Sequence, residues 1–130
     1  MKILQLLKEK KPLIHCIGND ISTQASANLL LAVGARPIMT FAPQEAEEIS
    51  RQCMATTINC GTPTQEKFDG LLSAVKGRSG HPLIIDPVGV GASQWRKDNI
   101  FRILKNANVS VIHCNFSEGL ALVQKNTAFE

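Results

Sequence analysis

The run PLIIDPVGVGAS, residues 82–93, decides how the rest of the chain is read. A short apolar stretch of strand length ends on a carboxylate, Asp86. A glycine-bearing loop follows, and Ser93 then stands where a helix N-cap is expected, ahead of Ile100, Phe101, Ile103 and Leu104 at helical spacing. The glycines let backbone amides approach a ligand, and the helix start favours an anion. Asp86 is suited to a divalent cation that bridges phosphates. The glycine spacing matches neither the Rossmann fingerprint nor a Walker loop. A plain strand-to-helix turn accounts for the same residues.

The same alternation extends in both directions. Upstream, the pattern predicts a helix over 1–10, a strand over 12–17, a helix over 21–33 with Asp20 as its N-cap, and a strand over 36–39. A helix then starts at Pro43 and runs to about residue 52, with Ala46, Ile49 and Cys53 on its inner face. A β-branched strand follows over 54–60, then a helix over 65–76 with Phe68, Leu71, Leu72 and Val75 as its apolar stripe. Downstream, residues 109–114 read as a strand and 117–124 as a helix. The strands are continuous apolar runs, which marks parallel strands buried on both faces. The predicted fold is therefore α/β, a three-layer, doubly wound, mostly parallel sheet.

Composition narrows the function. Of 130 residues, 44% are hydrophobic and 19% charged, so the chain is neither disordered nor fibrous. The net charge of +3 comes from scattered lysines and arginines, and aromatics are only 5%; this argues against nucleic-acid binding. No run is long enough to cross a membrane, and the N-terminus does not read as a secretory signal. Cys16, Cys53, Cys60 and Cys114 are widely spaced, against a disulfide framework and in favour of a cytoplasmic location.

In such a sheet ligands bind at the carboxyl ends of the strands. The residues expected there are Asn19 and Asp20, Met39 and Thr40, Gly61 and Thr62, Asp86 with its loop, and Asn115 with Glu118. These are also turn-forming residues. Asn115 and Glu118 have two readings: a capping box opening the last helix, or an amide and a carboxylate that organise Mg²⁺ around nucleotide phosphates. The pairs His15-Cys16 and His113-Cys114, with Cys60, invite a zinc site. Neighbouring strand residues point to opposite faces, so each pair offers one ligand, and buried cysteines as small core residues are the better reading.

Taken in order, PLIHCIGND, Ala27-Asn28, LLLAVGARPIM, the acidic block over 42–48, INCGTPT, IIDPVGVGA and VIHCNFSE resemble the hydroxyethylthiazole kinase family, of ribokinase-like fold. The resemblance runs from about residue 12 to 122. It implies ATP-dependent phosphorylation of the primary alcohol of 4-methyl-5-(2-hydroxyethyl)thiazole, with Mg²⁺, in thiamine biosynthesis or salvage. It also implies a homotrimer with thiazole pockets between subunits. Carried over position by position, Met39 would contact the thiazole, with Asn19, Gly61 and Thr62 lining or shaping that pocket. Asp86, Asn115 and His113 would serve ATP and its phosphates, and Asp86 and Glu118 the metal.

Two positions depart from the family pattern. His113-Cys114 replaces the usual Arg-Gly before the Asn of the NxxE motif, and Gly18 stands where Thr is common. An imidazole does not replace a guanidinium fork on phosphate. The family's Gly-Thr-Gly-Cys anion hole and its catalytic residue have no counterpart here. The expectation is that residues 1–130 form the N-terminal part of a single ribokinase-like domain with the C-terminal part absent, no catalytic residue in this chain and no turnover alone. The alternative is a non-catalytic module that binds thiazole or docks on an intact subunit.

Overall fold

The structure, a computed structural model, describes residues 2–124. Its elements in order are α1 (Lys2–Lys10), β1 (Leu13–Ile17), α2 (Thr23–Ala32), β2 (Arg36–Ile38), α3 (Ala46–Gln52), β3 (Ala55–Asn59), α4 (Gln65–Gly77), β4 (Leu83–Asp86), α5 (Gln94–Lys105), β5 (Val111–Ile112) and α6 (Phe116–Val123). The strands form one sheet in the order β2-β1-β3-β4-β5, every pair parallel. The chain first moves outward from β1 to β2, then crosses back over β1 to β3. Right-handed crossovers therefore put α2 on one face and α3, α4 and α5 on the other. In agreement, α3 packs on α4 and α4 on α5, while α2 touches β1 and β2.

The face under α3, α4 and α5 holds the core. The register places Ile17, Ile58 and Ile85 in one row across the sheet, with Leu83 one step below. The predicted stripe of α4 (Phe68, Leu71, Leu72, Val75) and Ile100 and Ile103 of α5 are buried against it. Each such side chain contributes about 1.5–3 kcal/mol by leaving water. Two glycines of α4 allow close backbone approach: a Cβ at Gly77 would overlap the Glu47 carbonyl oxygen of α3, and one at Gly70 the Phe41 carbonyl oxygen in the loop ahead of α3. Thr64 and Ser93 cap α4 and α5 by accepting from the amides of Lys67 and Arg96.

Several expectations change. α2 starts at Thr23, and Asn19, not Asp20, serves its approach: Asn19 Oδ1 accepts from the amides of Ile21 and Ser22, both at 2.9 Å. Pro43 lies in a turn ahead of α3, not inside it. The expected inner face of α3 is present, with Ala46 and Cys53 buried and Ile49 half-buried, and Ser50, on the same face one turn after Ala46, is buried with them. The expected strand over 109–114 is reduced to Val111–Ile112, and both residues are exposed. Among the described residues β5 pairs only with β4. Burial on both faces holds for β1, where His15, Cys16 and Ile17 are all buried, and fails in β3 and β4, where buried residues alternate with half-buried or exposed ones. Leu83 and Ile85 are 0% exposed, but Ile84, which faces the other way, is 38% exposed and its neighbour Val111 50%. Among the described residues, α2 covers that face only over β1 and β2.

Candidate functional site

The carboxyl ends of all five strands carry polar loops on one rim of the sheet, and two cavities open there. The smaller, about 300 Å³, lies at the ends of β1 and β2, lined among others by Gly18, Asp20, Thr23, Met39, Thr40 and Phe41. The larger, about 550 Å³, lies at the ends of β4 and β5, lined among others by Gly89, Gly91, Asn115, Ser117 and Glu118.

Between them, at the β1–β3 crossover point, is a hydrogen-bonded bridge. Asn19 Nδ2 donates to Asn59 Oδ1 at 3.1 Å, and Gly61 N donates to the same oxygen at 2.9 Å. Asp20 N donates to Thr62 Oγ1 at 3.0 Å, and Thr62 adopts a left-handed φ of 43°. Asn19 therefore spends both ends of its amide inside the loop. It, Gly61 and Thr62 form the scaffold beside the smaller cavity, whereas Met39 lines that cavity directly. The bridge is clamped by Lys67 of α4, which is 3% exposed and whose Nζ donates to the carbonyls of Gly18 (2.8 Å) and Gly61 (2.5 Å). Burial lowers its pKa, against the raising influence of Cys60 and Asp20.

On the larger cavity, Asn115 and Glu118 make a complete capping box: Asn115 Oδ1 accepts from Glu118 N at 2.8 Å, and Glu118 Oε2 from Asn115 N at 3.0 Å. The structural reading of this pair is thus present. Glu118 does more, since its Oε1 accepts from Gly89 N at 3.1 Å and ties the last helix to the glycine loop after β4. Asp86 closes β4, and His113 Nδ1 stands 3.3 Å from its Oδ2. His113, where the family pattern has Arg, is an exposed side chain resting on Asp86 and is charged only if protonated. Asp86, His113, Asn115, Glu118 and Gly89 therefore share one rim. Arg96 reaches the same loop from behind, donating to the Val88 carbonyl at 3.0 Å.

The donor set suits Mg²⁺ carried by a nucleotide. Two carboxylates on one rim are hard oxygen donors, and Mg²⁺ is commonly held by one or two carboxylates with waters and phosphate oxygens. Among the described residues no three His, Cys, Asp or Glu side chains gather to form an all-protein cage. The His-Cys pairs do not converge on a metal: both ring nitrogens of His15 are engaged, by Ser50 and by the Thr40 carbonyl. Cys16, Cys53 and Cys60 are buried and Cys114 is exposed, all four as free thiols. Burial pushes the Cys60 thiol up to about 12, so it stays protonated.

A five-stranded parallel sheet with α-helical crossovers and a polar rim at its strand ends defines a doubly wound α/β ligand-binding domain. Comparison with known proteins makes this specific. The model of the hydroxyethylthiazole kinase family matches residues 4–130, and the chain belongs to that family. A hydroxyethylthiazole kinase of Shouchella clausii is 41% identical over 122 residues, covering 92% of this chain and 47% of that protein. One from Staphylococcus epidermidis is 41% identical over 132 residues, covering 100% and 50%. The solved hydroxyethylthiazole kinase of Pyrococcus horikoshii superposes with a TM-score of 0.85 at 37% identity, over 94% of this chain and 50% of that one. The chain spans about half the length of the relatives it matches. A receiver domain from Pseudomonas aeruginosa, 14% identical with a TM-score of 0.54, shares the fold alone.

Three features lie outside what the sequence reading singled out: the Lys67 clamp, the Arg96 contact and a buried polar chain running from His15 to His81. Lys67 had a signal. It stands four residues before Leu71 and next to Phe68, on the apolar stripe of α4, where a lysine must find carbonyl partners or remain uncompensated. Ser50 is similar, four residues after Ala46 on the buried face of α3.

Proposed function

We propose that this chain forms the substrate and phosphate rim of a kinase that transfers the γ-phosphoryl group of ATP to the primary alcohol of 4-methyl-5-(2-hydroxyethyl)thiazole, in thiamine biosynthesis or salvage. The observation that carries the reading is the bond from Gly89 N to Glu118 Oε1, which joins the glycine loop and the NxxE helix into one site next to Asp86. Family membership supplies the substrate class.

In this reading the thiazole ring occupies the cavity at Met39, held in shape by the Asn19–Gly61–Thr62 bridge. The nucleotide phosphates occupy the larger cavity. There the glycine loop allows close approach, and the α6 N-terminus and Asn115 Nδ2 present positive potential. Asp86 and Glu118 would hold Mg²⁺ through its waters, and the ion supplies neutralisation of phosphate charge when bound. Phosphoryl transfer demands mainly such positioning and charge compensation. Removal of the alcohol proton is assigned to the part of the family's proteins that this chain does not span. The exposed apolar side chains of Ile21, Leu29 and Leu31, on and just ahead of α2, support a homo-oligomer, a trimer by family. Four free cysteines agree with a cytoplasmic location. No helix among the described residues is long and apolar enough to cross a membrane.

Calorimetric titration of the purified chain with the thiazole alcohol and with Mg·ATP tests the proposal. Saturable heat from both, with no product formed by this chain alone, is the expected result. Heat from the thiazole alone would favour the non-catalytic binding module, and heat from neither would overturn the reading.

A further inference from the structure

A chain of hydrogen bonds crosses the covered face of the sheet from the lower edge to the smaller cavity. His81 Nε2 lies 2.8 Å from Thr56 Oγ1, Thr56 Oγ1 3.0 Å from Ser50 Oγ, Ser50 Oγ 3.2 Å from His15 Nδ1, and His15 Nε2 2.8 Å from the Thr40 carbonyl oxygen. His15, Ser50 and Thr56 are each 0% exposed. Hydrogen-bond logic gives every proton in it an address. The Thr40 carbonyl can only accept, so His15 Nε2 carries a proton. Burial lowers the pKa of His15, outweighing the Thr40 carbonyl and Glu45, so the ring is neutral and Nδ1 is an acceptor. Ser50 must then donate to His15, Thr56 to Ser50, and His81 Nε2–H to Thr56. The protons all point toward the cavity.

The far end of this chain bears on the cavity wall. Thr40 lines it between Met39 and Phe41. The Thr40 hydroxyl is also occupied, donating to Glu45 Oε1 at 2.5 Å and accepting from Ala42 N at 3.3 Å. With its carbonyl given to His15 and its hydroxyl to Glu45, Thr40 offers the cavity little polarity, and the 39–41 wall reads as a thioether and an aromatic ring, while Gly18, Asp20 and Thr23 supply the polar part of the lining. We propose that His15 is a positioning residue that turns the Thr40 carbonyl into the core, fixes the Met39–Phe41 wall, and so selects a flat, weakly polar heteroaromatic ring over a ligand with a hydrogen-bond donor at that edge. The inference rests on the reading of this cavity as the ring pocket.

The test uses the full chain in three arms. Nitrogen-15 imidazole spectra at pH 7 should show His15 as the neutral Nε2–H form; an Nδ1–H form or a cation overturns the proposal. The variant His15→Gln keeps an amide donor for Thr40, and His15→Leu removes it. Amide exchange at Thr40, Phe41 and Ala42 should stay slow in the glutamine variant and rise at least tenfold in the leucine variant; equal exchange in both overturns the proposal. Titration with 4-methyl-5-(2-hydroxyethyl)thiazole should weaken about tenfold in His15→Leu and less than threefold in His15→Gln. Absence of binding in the wild type as well counts against the proposed function, while the spectra and exchange still decide the role of His15. Should His15→Leu fail to fold, the wild-type spectra carry the test.

Discussion

Replacing Lys67 by Met removes a buried ammonium while keeping most of its stem. In the folded chain that ammonium donates to the carbonyls of Gly18 and Gly61, the loops that end β1 and β3. Each buried acceptor left without a donor costs about 1–3 kcal/mol. Two of them would cost roughly 2–6 kcal/mol, before relief from no longer desolvating a charge. Gly18 is only half-buried, so water re-enters on that side. The net loss should be about 2 kcal/mol. For 130 residues this corresponds to a fall of roughly 8 °C in melting temperature. A melt followed by circular dichroism gives the global loss. Amide exchange gives its location: Asp20, Ile21, Ser22 and Gly61 should speed up through local opening, and α5 by no more than the global loss accounts for. An unchanged melt with unchanged exchange at those amides would refute the idea that Lys67 joins the two loops.

Other consequences follow from the same geometry. The pKa values of His15 and His81 are both lowered by burial, so the folded chain binds fewer protons than the unfolded chain as pH falls below about 6.5. Stability should therefore be full above that pH and decline toward pH 5; urea midpoints measured at pH 7.5 and 5.5 should differ in that direction, and the difference should shrink in His15→Gln, where His81 alone remains. Thiol labelling of the native chain should modify Cys114 fast and Cys16, Cys53 and Cys60 only on unfolding. Asn115→Ala should cost about 1 kcal/mol by removing the α6 cap, and it should weaken Mg·ATP while leaving thiazole binding unchanged, as separate titrations would register.

Much of this architecture could be read directly from residue patterns. The α4 stripe, the Ser93 cap, the β-branched strand β3 and the apolar strand β4 are local signals, and local physics decides them. The rim was legible for the same reason: Asp86 and Glu118 each sit at a strand end or helix start, and a parallel sheet brings such ends together. The misreadings occur where tertiary contacts decide. Val111 and Ile112 look like core residues, but Val111 lies in register with Ile84 on the less covered face and Ile112 with Ile85 on the core face, and both are exposed because β5 is the edge of the described sheet, which no periodicity encodes. Asn19 and Asp20 are equivalent as turn residues; the bonds of Asn19 to Ile21 N, Ser22 N and Asn59 Oδ1 distinguish them. The chain from His15 to His81 joins residues as many as 35 positions apart, a separation at which composition and spacing carry no signal.

Two cavities open at one sheet edge, and each is proposed to take its own ligand. Backbone amide spectra recorded during separate titrations with Mg·ATP and with 4-methyl-5-(2-hydroxyethyl)thiazole test this most directly. The nucleotide should move Gly89, Gly91, Asn115 and Glu118, and the thiazole should move Gly18, Met39, Thr40 and Phe41, with little overlap. Shifts confined to other surfaces, or the same residues answering both ligands, would contradict the account.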